Sequence, residues 1–228
     1  MIPLKDDNPT SGRPIVTYFL IGLCVVVFLM QLGSQSYKTG QLFFSYGLIP
    51  SVLMGHDQLP IDLYVVPAYV TIFSSMFMHG GWMHLIGNMW YMKIFADNIE
   101  DNLGSRNFII FYILCGIGAA MAQVLMDTHS QIPMVGASGA IGGVLGAYLI
   151  NHPNARVLVL IPYIIITIIK IRALYVLGFW FILQFISSDG GVAYAAHIGG
   201  FVCGMVLILF FNKKVRRKTK IIKGPWSK

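Results

Sequence analysis

Six apolar runs follow one another along the chain, at residues 15–32, 82–96, 107–126, 138–150, 173–186 and 192–211, and every Asp and Glu lies outside them. No water-soluble core of ordinary size hides that much apolar side chain, whereas a bilayer solvates it directly. Inside lipid each backbone N–H and C=O needs an internal partner, so runs of this kind are read as helices. Only 11% of the residues are charged, against about 25% in a typical soluble domain, which removes the soluble alternative. The expected fold is an all-α polytopic membrane protein, a bundle of six transmembrane helices. No internal repeat is visible, which argues against a transporter built from duplicated halves. The chain divides into one membrane unit, 1–212, and a basic tail, 213–228.

The connections carry the remaining topology. The polar lead 1–13 holds Pro3, Pro9 and Gly12 and is expected to be solvated. It has two Asp beside its two basic residues, and no small-x-small cleavage site follows the first run, so 15–32 is read as a retained helix and not a signal peptide. The long connection 33–81 mixes Pro50, Pro60 and Pro67 with Tyr46, Tyr64 and Tyr69; it is expected to lie in the interface or dip against the bundle. Residues 97–105 read as a polar turn, 127–137 and 187–191 as short loops. Residues 157–169, interrupted by Pro162 and bounded by Lys170 and Arg172, are too few to span and read as a short re-entrant or interfacial piece.

Six spans put both termini on one side. With the termini in the cytoplasm, Lys38 is the only basic residue in an outer loop, as the excess of Lys and Arg on cytoplasmic loops requires. The expected location is therefore the cell membrane, with Ser138 toward the outer face. Eight of the sixteen Lys and Arg residues fall at 213–228. The net charge of +7 thus points to anionic lipid at the tail and not to nucleic acid.

The fourth run opens Gly136-Ala137-Ser138-Gly139-Ala140, and glycines recur at 142, 143 and 146. Each costs about 1 kcal/mol in a helix, and close approach of a neighbouring helix explains them in a membrane. Ser138, Gly142 and Gly146 share one face. In the sixth run Gly200 and Gly204 lie three and seven residues after His197, on its face. Serine and histidine both sit near the outer end of their helices, above glycine seams. If the seams pack together, the two side chains come within hydrogen-bond reach. On the second run His84 and Asn88, four apart, share a face, with His79 five residues before.

Each of these has a plain structural reading: an incidental serine among small residues, a histidine bonded to a backbone carbonyl, an interhelical polar pair worth about 0.6 kcal/mol. Taken together they supply what acyl transfer needs, a nucleophile, a base and donors for an oxyanion. An ionisable group inside a span is itself a functional hypothesis. Other chemistries lack their residues. Zinc-ligand spacing such as His-Glu-x-x-His is missing, so no metal or cofactor is expected. Cys24, Cys115 and Cys203 each stand alone in a different run, as buried thiols do. No intramembrane carboxylate is available for an aspartyl mechanism or as a third triad member, so a Ser-His dyad is implied.

At this point the sequence resembles the rhomboid family of intramembrane serine proteases. The resemblance rests on His84-Leu85-Ile86-Gly87-Asn88, Gly136-Ala137-Ser138-Gly139 and Ala196-His197-Ile198-Gly199-Gly200, with His79-Gly80-Gly81-Trp82-Met83-His84 and the turn 100–106 beside them. It spans roughly residues 13–211 and is closest to the simple six-helix prokaryotic form. It implies Ser138 as nucleophile, His197 as general base, and His84, Asn88 and the Ser138 backbone N–H as oxyanion donors. It also implies a first outer loop embedded sideways in the membrane, transmembrane segments of other proteins as substrates, and lateral access between the second and fifth helices. Some members carry an aromatic residue four positions after the nucleophile, stacked on the catalytic histidine; here Gly142 stands there, and Tyr194 is the candidate for orienting His197. The alternative function is a catalytically silent relative that binds transmembrane helices.

Overall fold

The computed structural model of the protein describes residues 1–34, 36–162, 166–186 and 193–211. The basic tail and the loop 187–191 lie outside the described residues. Strand β1 (Ile2–Asp6) leads into helix α1 (Ile15–Gly33). The long connection holds α2 (Ser36–Tyr46), the single turns α3 (Pro50–Leu53) and α4 (Thr71–Ser74), and 3-10 turns at Ala68–Val70 and Ser75–Phe77. There follow α5 (Trp82–Leu103), α6 (Ser105–Met126), α7 (Ser138–Asn151), a hairpin of β2 (Arg156–Pro162) and β3 (Ile166–Arg172), α8 (Ala173–Ile186) and α9 (Tyr194–Phe211).

The six apolar runs are α1 and α5 to α9. Helices α1, α6 and α9 are long and apolar enough to cross a membrane. Helices α7 and α8 have 14 residues each, about 21 Å at 1.5 Å per residue, short of the ~30 Å hydrocarbon core. In α7 this is explained by its place: Gly139 through Tyr148 are all buried, with α5, α6, α8 and α9 packed around it. A helix enclosed by protein need not match the lipid.

The glycines set how close that enclosure is. A Cβ on Gly200 would fall on the Gly139 carbonyl, one on Gly204 on the Gly143 carbonyl, and one on Gly146 on the Phe201 carbonyl. Helix α6 closes on the same seam through Ala119 against Gly139 and Ala122 against Gly199. Where lipid is as apolar as the side chains, this backbone contact holds helices together.

Three stretches differ from the sequence reading. Residues 97–103 are helical, and α5 stops only where Gly104 takes a φ of +76°. Two of their carboxylates are taken up by the chain's amino-terminal part: Glu100 accepts hydrogen bonds from Val16 N (3.0 Å), Thr17 N (2.8 Å) and Thr17 Oγ1 (2.8 Å), and Asp101 from Ser11 N and Gly12 N. The first turn of α1, whose N–H groups have no partner within the helix, is thereby capped from α5. Residues 157–162 and 166–169, read from the sequence as one short re-entrant or interfacial piece, belong instead to two antiparallel strands, with Val157 opposite Ile171 and Val159 opposite Ile169. Buried Val157 and Val159 alternate with more exposed neighbours, a period of two that a summed hydropathy does not register. The lead is likewise not a solvated arm: β1 pairs with β2 from Ile2↔Leu160 to Asp6↔Val157, its register shifting between Pro3 and Lys5. Proline has no N–H to give a ladder and is accommodated on such an edge strand. The sheet, in order β1-β2-β3, is fixed to the bundle at the far end of α7 from Ser138, where the Tyr148 hydroxyl donates to Asp6 and Trp90 Nε1 to the Pro3 carbonyl.

Candidate active site

Ser138 is the first residue of α7, so its backbone N–H is among those a helix leaves open at its amino end. Gly136 precedes it with a φ of +128° and its N–H bonded to the Ser75 carbonyl at 2.8 Å. A side chain there would be strained by that backbone angle, and its Cβ would meet His84 Nε2 at 2.7 Å. Glycine thus lets the His84 ring lie against the turn that carries the serine.

From α9, His197 Nε2 stands 2.8 Å from Ser138 Oγ. The amino end of α9 is tied to α6 by Gln123, whose Oε1 accepts from Ala196 N at 3.2 Å. The other nitrogen, His197 Nδ1, meets Gln184 Oε1 of α8 at 2.8 Å, and Gln184 Nε2 donates to the Trp180 carbonyl at 2.7 Å. The Trp180 ring lies 5.9 Å from the imidazole, tilted by 38°. It also reaches within 3.7 Å of where a Cβ on Gly142 would stand. Tyr194, the residue the sequence offered for orienting His197, is edge-on at 6.3 Å. Sequence reasoning missed Gln184 and Trp180; the available signal was an amide inside an otherwise apolar run.

On α5, His84 Nδ1 accepts from Gly80 N at 3.3 Å, which leaves the ring proton on Nε2, the nitrogen facing the Gly136 turn. The ring is braced edge-on by His79 at 5.2 Å, and His79 is held in turn by paired backbone bonds with the Gln31 side chain of α1. Asn88 is buried, and its Nδ2 has no hydrogen-bond partner among the described residues. Ser138, His197, His84 and Asn88 all line one open cavity of about 1050 Å³. The four residues picked from three separate runs are therefore brought to one place. It combines a hydroxyl on a ring nitrogen with the His84 ring, the Asn88 amide and the amino end of α7.

A family model described as the Rhomboid domain matches residues 66–214. The chain belongs to the rhomboid family. Its helical bundle is the polytopic membrane fold of that family, and the match covers α5 to α9 together with the hairpin. RHOMBOID-like protein 5 of Arabidopsis thaliana is 31% identical to this rhomboid over 137 residues, 60% of this chain and 42% of that protein. Rhomboid protease GluP of Bacillus subtilis is 29% identical over 197 residues, 85% of this chain and 34% of its own length. Rhomboid protein 1, mitochondrial, of Saccharomyces cerevisiae is 26% identical over 168 residues, 67% of this chain and 45% of its own. This chain thus spans less than half of each of these relatives.

Proposed function

We propose that this rhomboid is an intramembrane serine endopeptidase, hydrolysing peptide bonds in or near the transmembrane segments of other membrane proteins. The observation that carries the reading is the 2.8 Å contact between Ser138 Oγ and His197 Nε2, two residues that line one open cavity. Ser138 Oγ adds to the substrate carbonyl carbon while its proton passes to His197 Nε2. The negative charge that develops on the carbonyl oxygen is met by the Ser138 N–H, His84 Nε2–H and Asn88 Nδ2–H, with the positive end of the α7 dipole behind them. The imidazolium then gives its proton to the leaving amine, and a water activated by His197 releases the acyl group from Ser138.

In this reading the sheet and both termini face the cytoplasm, and the cavity opens toward the outer face. Exposed apolar residues of the first long connection, Ile61, Tyr64, Val65 and Tyr69, rest in the membrane interface, and the basic tail rests on anionic lipid. Substrate helices reach the cavity laterally, between α5 and α8.

The test is reaction of the purified protein with a fluorophosphonate, an activated-serine probe, alongside cleavage of a membrane-anchored reporter. Wild type is expected to be labelled at Ser138 and to cut the reporter; Ser138→Ala is expected to do neither while folding normally, since losing one hydroxyl leaves no cavity of consequence. Full proteolysis by the alanine variant, or a wild type that binds the reporter helix without cutting it, would remove the assignment.

A further inference from the structure

The serine-facing nitrogen of a catalytic histidine must be unprotonated to accept the serine proton, and in a neutral imidazole that is decided by what the other nitrogen does. Here the deciding partner comes from a different helix. Gln184 Nε2 lies 2.7 Å from the Trp180 carbonyl, an acceptor only, so the amide presents its NH2 there and its oxygen to His197. That oxygen, 2.8 Å from Nδ1, is again an acceptor only. His197 Nδ1 must then carry the proton, and Nε2 is left with its lone pair aimed at Ser138 Oγ. The backbone carbonyl of Trp180 in this way fixes the Gln184 amide, and the amide fixes the tautomer of the base. Trp180 and Gln184 are four residues apart, on one face of α8, and the Trp180 ring closes the space beside the imidazole that Gly142 leaves open.

We infer that Gln184 is the positioning residue of the dyad: it holds His197 in the Nδ1–H tautomer and at the angle that Ser138 requires. It stands where a triad has its carboxylate, as a neutral acceptor suited to a site without an intramembrane acid. The inference rests on the proteolytic reading above. It also makes α8 part of the catalytic apparatus, since the base is oriented only while α8 lies against α9.

Two substitutions separate this role from packing. Gln184→Glu keeps an oxygen for Nδ1–H and loses the donor to the Trp180 carbonyl; Gln184→Met is close in volume and loses both. The full chain in detergent is assayed for kcat and KM on a fluorogenic transmembrane substrate, for the rate of fluorophosphonate labelling, and for thermal unfolding. Gln184→Met is expected to lose about 100-fold in kcat, the lower end of what a positioned base contributes, with KM unchanged and the labelling rate falling in parallel. Gln184→Glu is expected to stay within a few-fold of wild type. A wild-type kcat in Gln184→Met, a Glu variant as impaired as the Met variant, or a loss confined to KM would each overturn the assignment. Nitrogen-15 spectra of histidine-labelled protein, with His197 identified by difference against His197→Gln, report the tautomer with no need for cleavage. They are expected to show Nδ1–H in wild type and a loss of that preference in Gln184→Met. If wild type fails to cleave while the spectra show this pattern, the proteolytic reading falls and the Gln184 contact stands; a wild-type Nε2–H tautomer would sink the inference itself.

Discussion

Asn88 is buried, with its Nδ2 unbonded among the described residues, although an amide N–H left without a partner costs about 1–3 kcal/mol. Stability gives no reason to keep that donor there; in the proposed proteolytic reaction, an oxyanion in the cavity would. Asn88→Ala is accordingly expected to lower turnover more than substrate affinity. Removal of one such donor costs on the order of 100 to 1,000-fold, softened here by His84 and the Ser138 N–H. Steady-state kinetics on the reporter check this, and a raised KM with unchanged kcat would make Asn88 a substrate contact instead. The same residue shows why the grouping of these side chains was legible in the sequence. Ser138, His197, His84 and Asn88 are each a polar group in an apolar run, and each has a second signal at helical spacing, a glycine seam or a partner four residues away. Gln184 is polar in an apolar run too, but what it meets is 13 residues away in the chain and across a helix boundary. No spacing rule joins it to His197, and sequence proximity alone points to Tyr194.

At the level of the helices, α7 and α9 meet through backbone, and the consequences of substitution differ along the seam. At Gly200 an added Cβ would lie on the Gly139 carbonyl, which cannot swing aside as a side chain does; at Gly142 the nearest atom is the His197 carbonyl at 3.0 Å, then Phe201 N at 3.4 Å. Gly200→Val is expected to abolish cleavage and lower the melting temperature, because parting the helices by about an ångström moves His197 from Ser138 and misplacement on that scale costs about 100-fold. Gly142→Ala is expected to keep measurable activity, as its neighbours need give only a few tenths of an ångström. An aromatic residue at 142 is expected to be poorly tolerated, since Trp180 already stands beside that position. Reporter cleavage and thermal unfolding in detergent and in bilayers test the series, and near-wild-type activity in Gly200→Val would show that the close contact is not needed. These helices were readable because glycine at 3.6-residue spacing has few other uses in a membrane. The β2–β3 hairpin was not, since a 13-residue apolar stretch scores alike as a dipping segment and as two strands, and the alternation that distinguishes them is masked when both faces carry Ile, Leu and Val.

Across the whole molecule, Ser138 and the sheet lie at opposite ends of α7, and the sheet is anchored through carboxyl groups that are poorly hydrated. Burial raises the pKa of Asp6 above the ordinary carboxylate value, the hydrogen bond from the Tyr148 hydroxyl only partly offsetting it. Burial likewise raises Asp97 to about 6, against opposing bonds from Asn98, and the nearby Asp6 charge adds to the rise. Asn98 Nδ2 bridges the two, 3.0 Å from Asp6 Oδ2 and 3.0 Å from Asp97 Oδ1. A carboxyl whose pKa is higher folded than unfolded binds its proton more tightly in the folded state. Its contribution is therefore most favourable at pH values below the ordinary carboxylate value and is lost as the pH rises through about 6. The expected outcome is that β1 holds the bundle more firmly at pH 5 than at pH 7.5. Amide hydrogen exchange over residues 2–6, corrected for the intrinsic pH dependence of exchange, should show stronger protection at the lower pH. Asp97→Asn, which keeps an oxygen to accept from Asn98 and carries no charge, should flatten that dependence and raise protection at pH 7.5. Because Ser138 is a full helix length away, the fluorophosphonate labelling rate at a fixed pH should change little in the same variant. Stronger protection of β1 at pH 7.5 than at pH 5 in wild type would mean that the carboxylates bind the strand as anions, and the account of how the sheet is docked would have to be reversed.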